Sequence, residues 1–204
     1  LEVSKQTKQH ILEKSEITTK PIDATSTQNK TSPKSEDPNI KIRAEQQAIS
    51  DAAISNFIQA TGIDIQEFKH FTFNELDIGD DNILALTGKD ITKTSQVNML
   101  ASHNNFSPAE AISFIRENNQ ILPGLPMKLP TLTESKISNQ DAEKKGLTYI
   151  YFWHGVADNK FIGVAYMKSK KNKISYLITL SGPKSALNDN DGYFEKILSS
   201  INVN

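Results

Sequence analysis

The chain has no cysteine among its 204 residues, which excludes disulfides, thiolate metal sites and a cysteine nucleophile within it. It has no long apolar run either: nothing approaches the roughly eighteen residues of a membrane-spanning helix, and no charged-then-apolar leader opens it. Charge of one sign is scarce. The formal net charge is −1 and like charges never gather into a block, so the basic footprint of a nucleic-acid binder is missing. Motifs that carry chemistry are missing too. His10, His70, His103 and His154 include no pair at the i, i+4 spacing of a helical zinc site, and neither HExxH nor GxSxG occurs. Ser181-Gly182-Pro183 has only a strand-then-turn context. The acidic group Glu75, Asp77, Asp80 and Asp81 misses the closing glutamate of an EF-hand loop and reads as a solvated turn. No metal and no cofactor is expected.

What is present divides in two. Residues 1–40 are Lys, Thr, Ser, Gln, Glu and Pro with almost no aromatic content, punctuated by Pro21, Pro33 and Pro38. Such a stretch cannot bury enough apolar surface to offset a backbone ordering cost of about 1–2 kcal/mol per residue. It reads as a disordered tether, with lysines and carboxylates in balance, and beginning at Leu1 it reads as a processed product or a trimmed chain. Residues 41–204 carry the Leu, Ile, Val and Phe of a core and read as one α+β domain: an antiparallel sheet covered by helices, helix-rich over 41–120, with strands and a terminal helix over 125–204.

Within that domain, Ala48, Ala52, Ile54, Phe57 and Ile58 recur at three and four residues and predict a helix over 42–61, stopped by Gly62. The stretch 63–76 spaces Ile65, Phe68 and Phe71 as a helix would and Phe71 and Phe73 as a strand would, and both readings stay open. Residues 82–87 read as a strand ended by Gly88, and 92–102 as a helix through Val97, Leu100 and Ala101. Ser107-Pro108-Ala109-Glu110 has the form of a capping box, with proline at the first helical position, and opens a helix to about Asn119. A stiff loop with Pro123, Gly124, Pro126 and Pro130 follows. Residues 148–154, 161–168 and 173–180 are aromatic and β-branched and read as three successive antiparallel strands. Gly163 and Ala165 leave room on the second for close packing, Gly182-Pro183 breaks the third, and Tyr193, Phe194, Ile197, Leu198 and Ile201 make a last amphipathic helix.

The order of three strands, a Gly-Pro loop and the helix Tyr193-Phe194-Glu195-Lys196-Ile197-Leu198-Ser199-Ser200-Ile201 resembles the C-terminal end of the PsbP-like fold, the group that includes DcrB-type bacterial lipoproteins. The resemblance covers roughly the last sixty residues. It implies an exported, often lipid-anchored protein without enzymatic activity, periplasmic or held at the membrane. The lipid-bearing cysteine would then lie just upstream of Leu1.

Two sets of side chains stand out as contact residues. Tyr149, Tyr151 and Trp153 share one strand face by the period of two, and form either core or a binding stripe. Lys168, Lys170, Lys171 and Lys173 crowd the connection between the second and third strands, where they sit in solvent at a hairpin tip, protect a sheet edge or touch an anionic surface. The expected function is non-enzymatic binding or scaffolding in the cell envelope, with another envelope protein or a membrane surface as partner. Two alternatives stand beside it: a hydrolase using His154 with Asp158 or a serine, and a secreted effector or immunity-type protein.

Overall fold

A computed structural model describes residues 38–65, 68, 70–90, 94–136, 138–187 and 193–203. The chain divides into two units, Leu1–Ser35 and Glu36–Asn204, and every described residue belongs to the second. The expected tether therefore lies outside the described residues except for 38–40, which are already helical.

The elements run α1 (Pro38–Thr61), β1 (Ile63–Ile65), β2 (Phe71–Glu75), β3 (Ile83–Asp90), β4 (Ser95–Ser102), α2 (Pro108–Asn118), β5 (Thr133–Lys136), α3 (Asn139–Lys144), β6 (Leu147–Ala157), β7 (Lys160–Ser169), β8 (Ser175–Pro183), α4 (Lys184–Leu187), α5 (Tyr193–Ser200) and β9 (Ile201–Val203). Seven strands form one antiparallel sheet in the order β2-β3-β4-β8-β7-β6-β5, and β1 pairs separately with β9. The architecture is the expected α+β one, with helices on both faces of an antiparallel sheet.

Alternation along each strand sends side chains into two cores. On one face Phe68, Phe71, Phe73, Val97, Met99, Phe152, Ala165, Tyr176 and Ile178 pack against Ala53 and Phe57 of α1 and Ile197 and Leu198 of α5. On the other, Ile83, Leu100, Trp153, Ile162, Val164, Tyr166 and Leu177 meet Ala111 and Ile115 of α2 and Leu122 from the loop after it. Gly163 and Ala165 fall on the α1 and α5 side of β7. Gly88 is a tight point of the first core, because a Cβ there would lie 2.5 Å from the Phe73 ring.

Several expectations need correction. Residues 95–102 are strand β4, not helix: with both faces covered, Val97, Met99, Leu100 and Ala101 are all buried and polar alternation vanishes. The segment 41–120 thus holds four strands besides its two helices. Residues 63–76 resolve into β1 and β2. Gly88 lies inside β3 rather than ending it, the third aromatic strand runs through Gly182 to Pro183, and β6 continues past His154 to Ala157. The terminal helix stops at Ser200, and Ile201 opens β9. The capping box stands: Ser107 Oγ accepts from Glu110 N at 3.3 Å and Glu110 Oε2 from Ser107 N at 2.6 Å.

Candidate functional site

The aromatic residues of β6 face α2 because of a bulge. Leu147 belongs to the α1-side core, and a period of two would place Tyr149 beside it; the register shift between Leu147 and Tyr149 turns the following residues over. From there Tyr149, Tyr151 and Trp153 stand in a row on the α2 face. Tyr151 and Trp153 stack at 5.8 Å with planes 15° apart, and Tyr149 meets Tyr151 edge-on at 5.4 Å. Burial falls along the row: Trp153 is buried, while Tyr149 and Tyr151 are half-buried. Core and stripe are one continuous object whose end emerges at the surface.

The emerging end is held firmly. Tyr149 Oη and Tyr166 Oη lie 3.4 Å apart, and Tyr166 Oη donates to the Phe106 carbonyl oxygen and lies 3.3 Å from Ser175 Oγ. Burial, and then the neighbouring Tyr166 hydroxyl, push the Tyr149 phenol well above its ordinary range. At the other end Trp153 Nε1 donates to Glu134 Oε2 at 3.1 Å, across the β5–β6 pairing. Lys168, opposite Tyr149 in register, lays its ammonium on Asn105 Oδ1 just before α2.

The four lysines separate. Lys168 joins the tyrosines, whereas Lys170, Lys171 and Lys173 are exposed on the β7–β8 turn. That turn is tied to the body: Asn172 Nδ2 donates to the Thr61 carbonyl at 3.0 Å, Tyr176 Oη donates to the same oxygen at 2.6 Å, and Lys170 Nζ lies 3.5 Å from Glu143 Oε1. Sequence reasoning missed Tyr166, Phe106, Asn105 and Glu134. Tyr166 was visible as the third residue of the Ile162, Val164 alternation, but its placement opposite Tyr151 follows from register.

His154 is stacked between Phe152, at 5.4 Å, and Phe161, at 6.4 Å, on the α1 side of the sheet. Its Nδ1 is buried and makes no hydrogen bond, while Asp158 is exposed in the β6–β7 turn at φ 49°. No hydrogen bond through Nδ1 joins the pair. Asp77 Oδ1 accepts from Gly79 N at 2.8 Å and Asp80 Oδ1 from Asn82 N at 2.9 Å, so these carboxylates shape the β2–β3 turn. Among the described residues no three of His, Asp and Glu are placed to hold a metal ion, and no helix is long and apolar enough to cross a membrane. No protein-family model matches the chain, and no curated protein matches it at a significant level.

Proposed function

We propose that this domain is a non-enzymatic binding module of the cell envelope, contacting another envelope protein or the membrane surface through the Tyr149–Tyr151 end of the aromatic row and the neighbouring Lys168. The observation that carries the reading is the half-burial of two tyrosines on a rigid strand. Their rings give up little conformational freedom on binding, and large aromatic residues of that kind supply most of the energy in protein contacts. Lys170, Lys171 and Lys173 extend the same role to an anionic surface. Export and an N-terminal anchor rest on the PsbP-like resemblance and on the composition of residues 1–40.

The test joins location to contact. In the native host, the protein should partition with envelope membranes. A photo-crosslinking residue at Tyr151 should give one discrete adduct, absent when the crosslinker replaces exposed Asn74 and lost in a Tyr149→Ala variant. Crosslinking at Asn74 equal to that at Tyr151 would remove the aromatic surface from the proposal, and a cytoplasmic protein would remove the envelope.

A further inference from the structure

At the opposite end of β7 from Lys168 the α2 face changes character. Thr87, Gln96, Asn98, Thr179 and Ser181 occupy adjacent positions of β3, β4 and β8 on the side of the sheet that elsewhere carries Ile83, Leu100 and Leu177. Asn98, Thr179 and Ser181 are buried. Part of this polarity holds the loop after α2: Asn98 Nδ2 donates to the Pro123 carbonyl at 3.0 Å and lies 2.9 Å from Thr179 Oγ1. Gly124, at φ 83°, then lies so close that a Cβ would come within 2.6 Å of both Gln96 Cβ and Ser181 Oγ. Gln96 Nε2 donates to Thr87 Oγ1 at 2.7 Å. Loop anchoring leaves Asn98 Oδ1 buried without a partner, and it does not explain why the strip opens into a groove.

That groove, of about 360 Å³, is lined by Thr94, Gln96, Asn159, Lys160 and Ser181 together with Gly124, Gly182 and Pro183. Its volume sits at the lower end of the roughly 300–1,000 Å³ of small-molecule sites. Among the described residues its lining has hydroxyls, amides and one ammonium, no carboxylate and no large apolar side chain. Thr94 at φ 52° holds left-handed backbone on one wall, a conformation that a β-branched residue adopts at a cost of the kind that gathers at binding sites, while Asn159 at φ 59° belongs with Asp158 to the two-residue hairpin turn that joins β6 to β7. A sheet face that breaks its apolar pattern beside a walled cleft is where a ligand is expected.

We propose that this groove binds a small polyhydroxylated anion, a sugar-sized molecule bearing one carboxylate or one phosphate. Lys160 neutralises the single charge, while the side chains of Ser181, Thr94, Gln96 and Asn159, each both donor and acceptor, suit a ring of hydroxyls. The site is separate from the tyrosine row and does not depend on the reading given for it.

Amide chemical-shift titration of the full chain at physiological salt, with glucuronate, glucose 6-phosphate, glucose and inorganic phosphate as probes, tests the assignment. Saturable shifts centred on Gln96, Gly124, Lys160 and Ser181 are expected with glucuronate or glucose 6-phosphate, and whichever of the two binds more tightly identifies the anionic group. Lys160→Gln should weaken that binding at least tenfold. Lys144→Gln, the same charge change on α3 and away from the groove lining, should alter it less than twofold. An absence of saturable shifts with both sugar acids, binding of glucose or phosphate as tight as theirs, or equal losses in the two lysine variants would overturn the proposal.

Discussion

The two faces of the sheet are built to different rules. On the α1 side, Phe68, Phe71 and Phe73 meet edge to face and tilted at 5.2–6.1 Å, and the β2 edge is sealed at one amide, since Ser50 Oγ accepts from Phe73 N at 2.7 Å. On the α2 side Tyr149, Tyr166 and Trp153 carry hydroxyls and an indole N–H that bond to neighbours, as the Tyr176 hydroxyl does on the α1 side, the cover is one helix and a proline-rich loop, and a polar strip replaces part of the hydrocarbon. Burying hydrocarbon against a helix contributes stability with little chemical selectivity. Burying polar groups is tolerable only when each finds a partner, and it pays in specificity. The first face is chiefly a hydrocarbon core, and the second mixes hydrocarbon with bonded polar groups, the side to which both proposals above assign contacts with other molecules.

The largest expected effect tests that division directly. Phe73→Ala should cost about 3–5 kcal/mol in urea unfolding, because the cavity opens beneath α1 and the Phe68 and Phe71 rings lose their partner. Tyr151→Ala, partly buried at the rim of the other face, should cost less than the Phe73 variant, about 1–2 kcal/mol. Similar losses for the two would erase the distinction. Next is the sealed edge: Ser50→Ala strands a covered N–H, should cost about 1–3 kcal/mol, and should accelerate hydrogen exchange at the Phe73 amide beyond that of its neighbours.

The smallest effect concerns protons. Burial raises the phenol pKa of Tyr149 on one face and of Tyr176 on the other. A folded pKa above the unfolded value means that the stability from the neutral phenol is complete below the unfolded value and is lost as pH rises through the folded one. Phenolate absorbance should therefore show two late-titrating tyrosines, and unfolding free energy should decline above the ordinary tyrosine range. Tyr149→Phe should remove one late component, leaving that of Tyr176.

Much of this fold was legible. The capping box at Ser107, the helix through Phe57 and the three aromatic strands were read from local chemistry alone, the first by its start signal, the second by its spacing and the strands by their density of aromatic and β-branched residues, although β7 and β8 are covered on both faces. β4 was not, because Val97 is its single β-branched residue and it holds no aromatic one; covered on both sides like β7 and β8, it lacks alternation too, and Val97, Leu100 and Ala101 then imitate helical spacing. β5 escaped notice as four polar residues, Thr133–Lys136, that exist as strand only by pairing with β6. For the candidate site, the face shared by Tyr149, Tyr151 and Trp153 followed from the period of two. The bulge at 148, which decides that this face meets α2, is a property of pairing. So is the separation of Lys168 from the other three lysines.

The short pairing of β1 with β9 carries a consequence for how the chain is made. Ile63, at the exit of α1, is buried against a strand that ends at Val203, and Val203 N also donates to the Lys145 carbonyl at 3.0 Å. On a ribosome adding about 5–20 residues per second, β1 waits for nearly the whole domain to be synthesised before its partner exists. Before then that end of α1 is tied to the body through the Thr61 carbonyl, which accepts from Asn172 Nδ2 and Tyr176 Oη, while β1 itself stays unpaired. A nascent chain stopped before Ile201 should stay open to protease at the α1–β1 junction, and the last three strand residues would act as the latch that closes the domain.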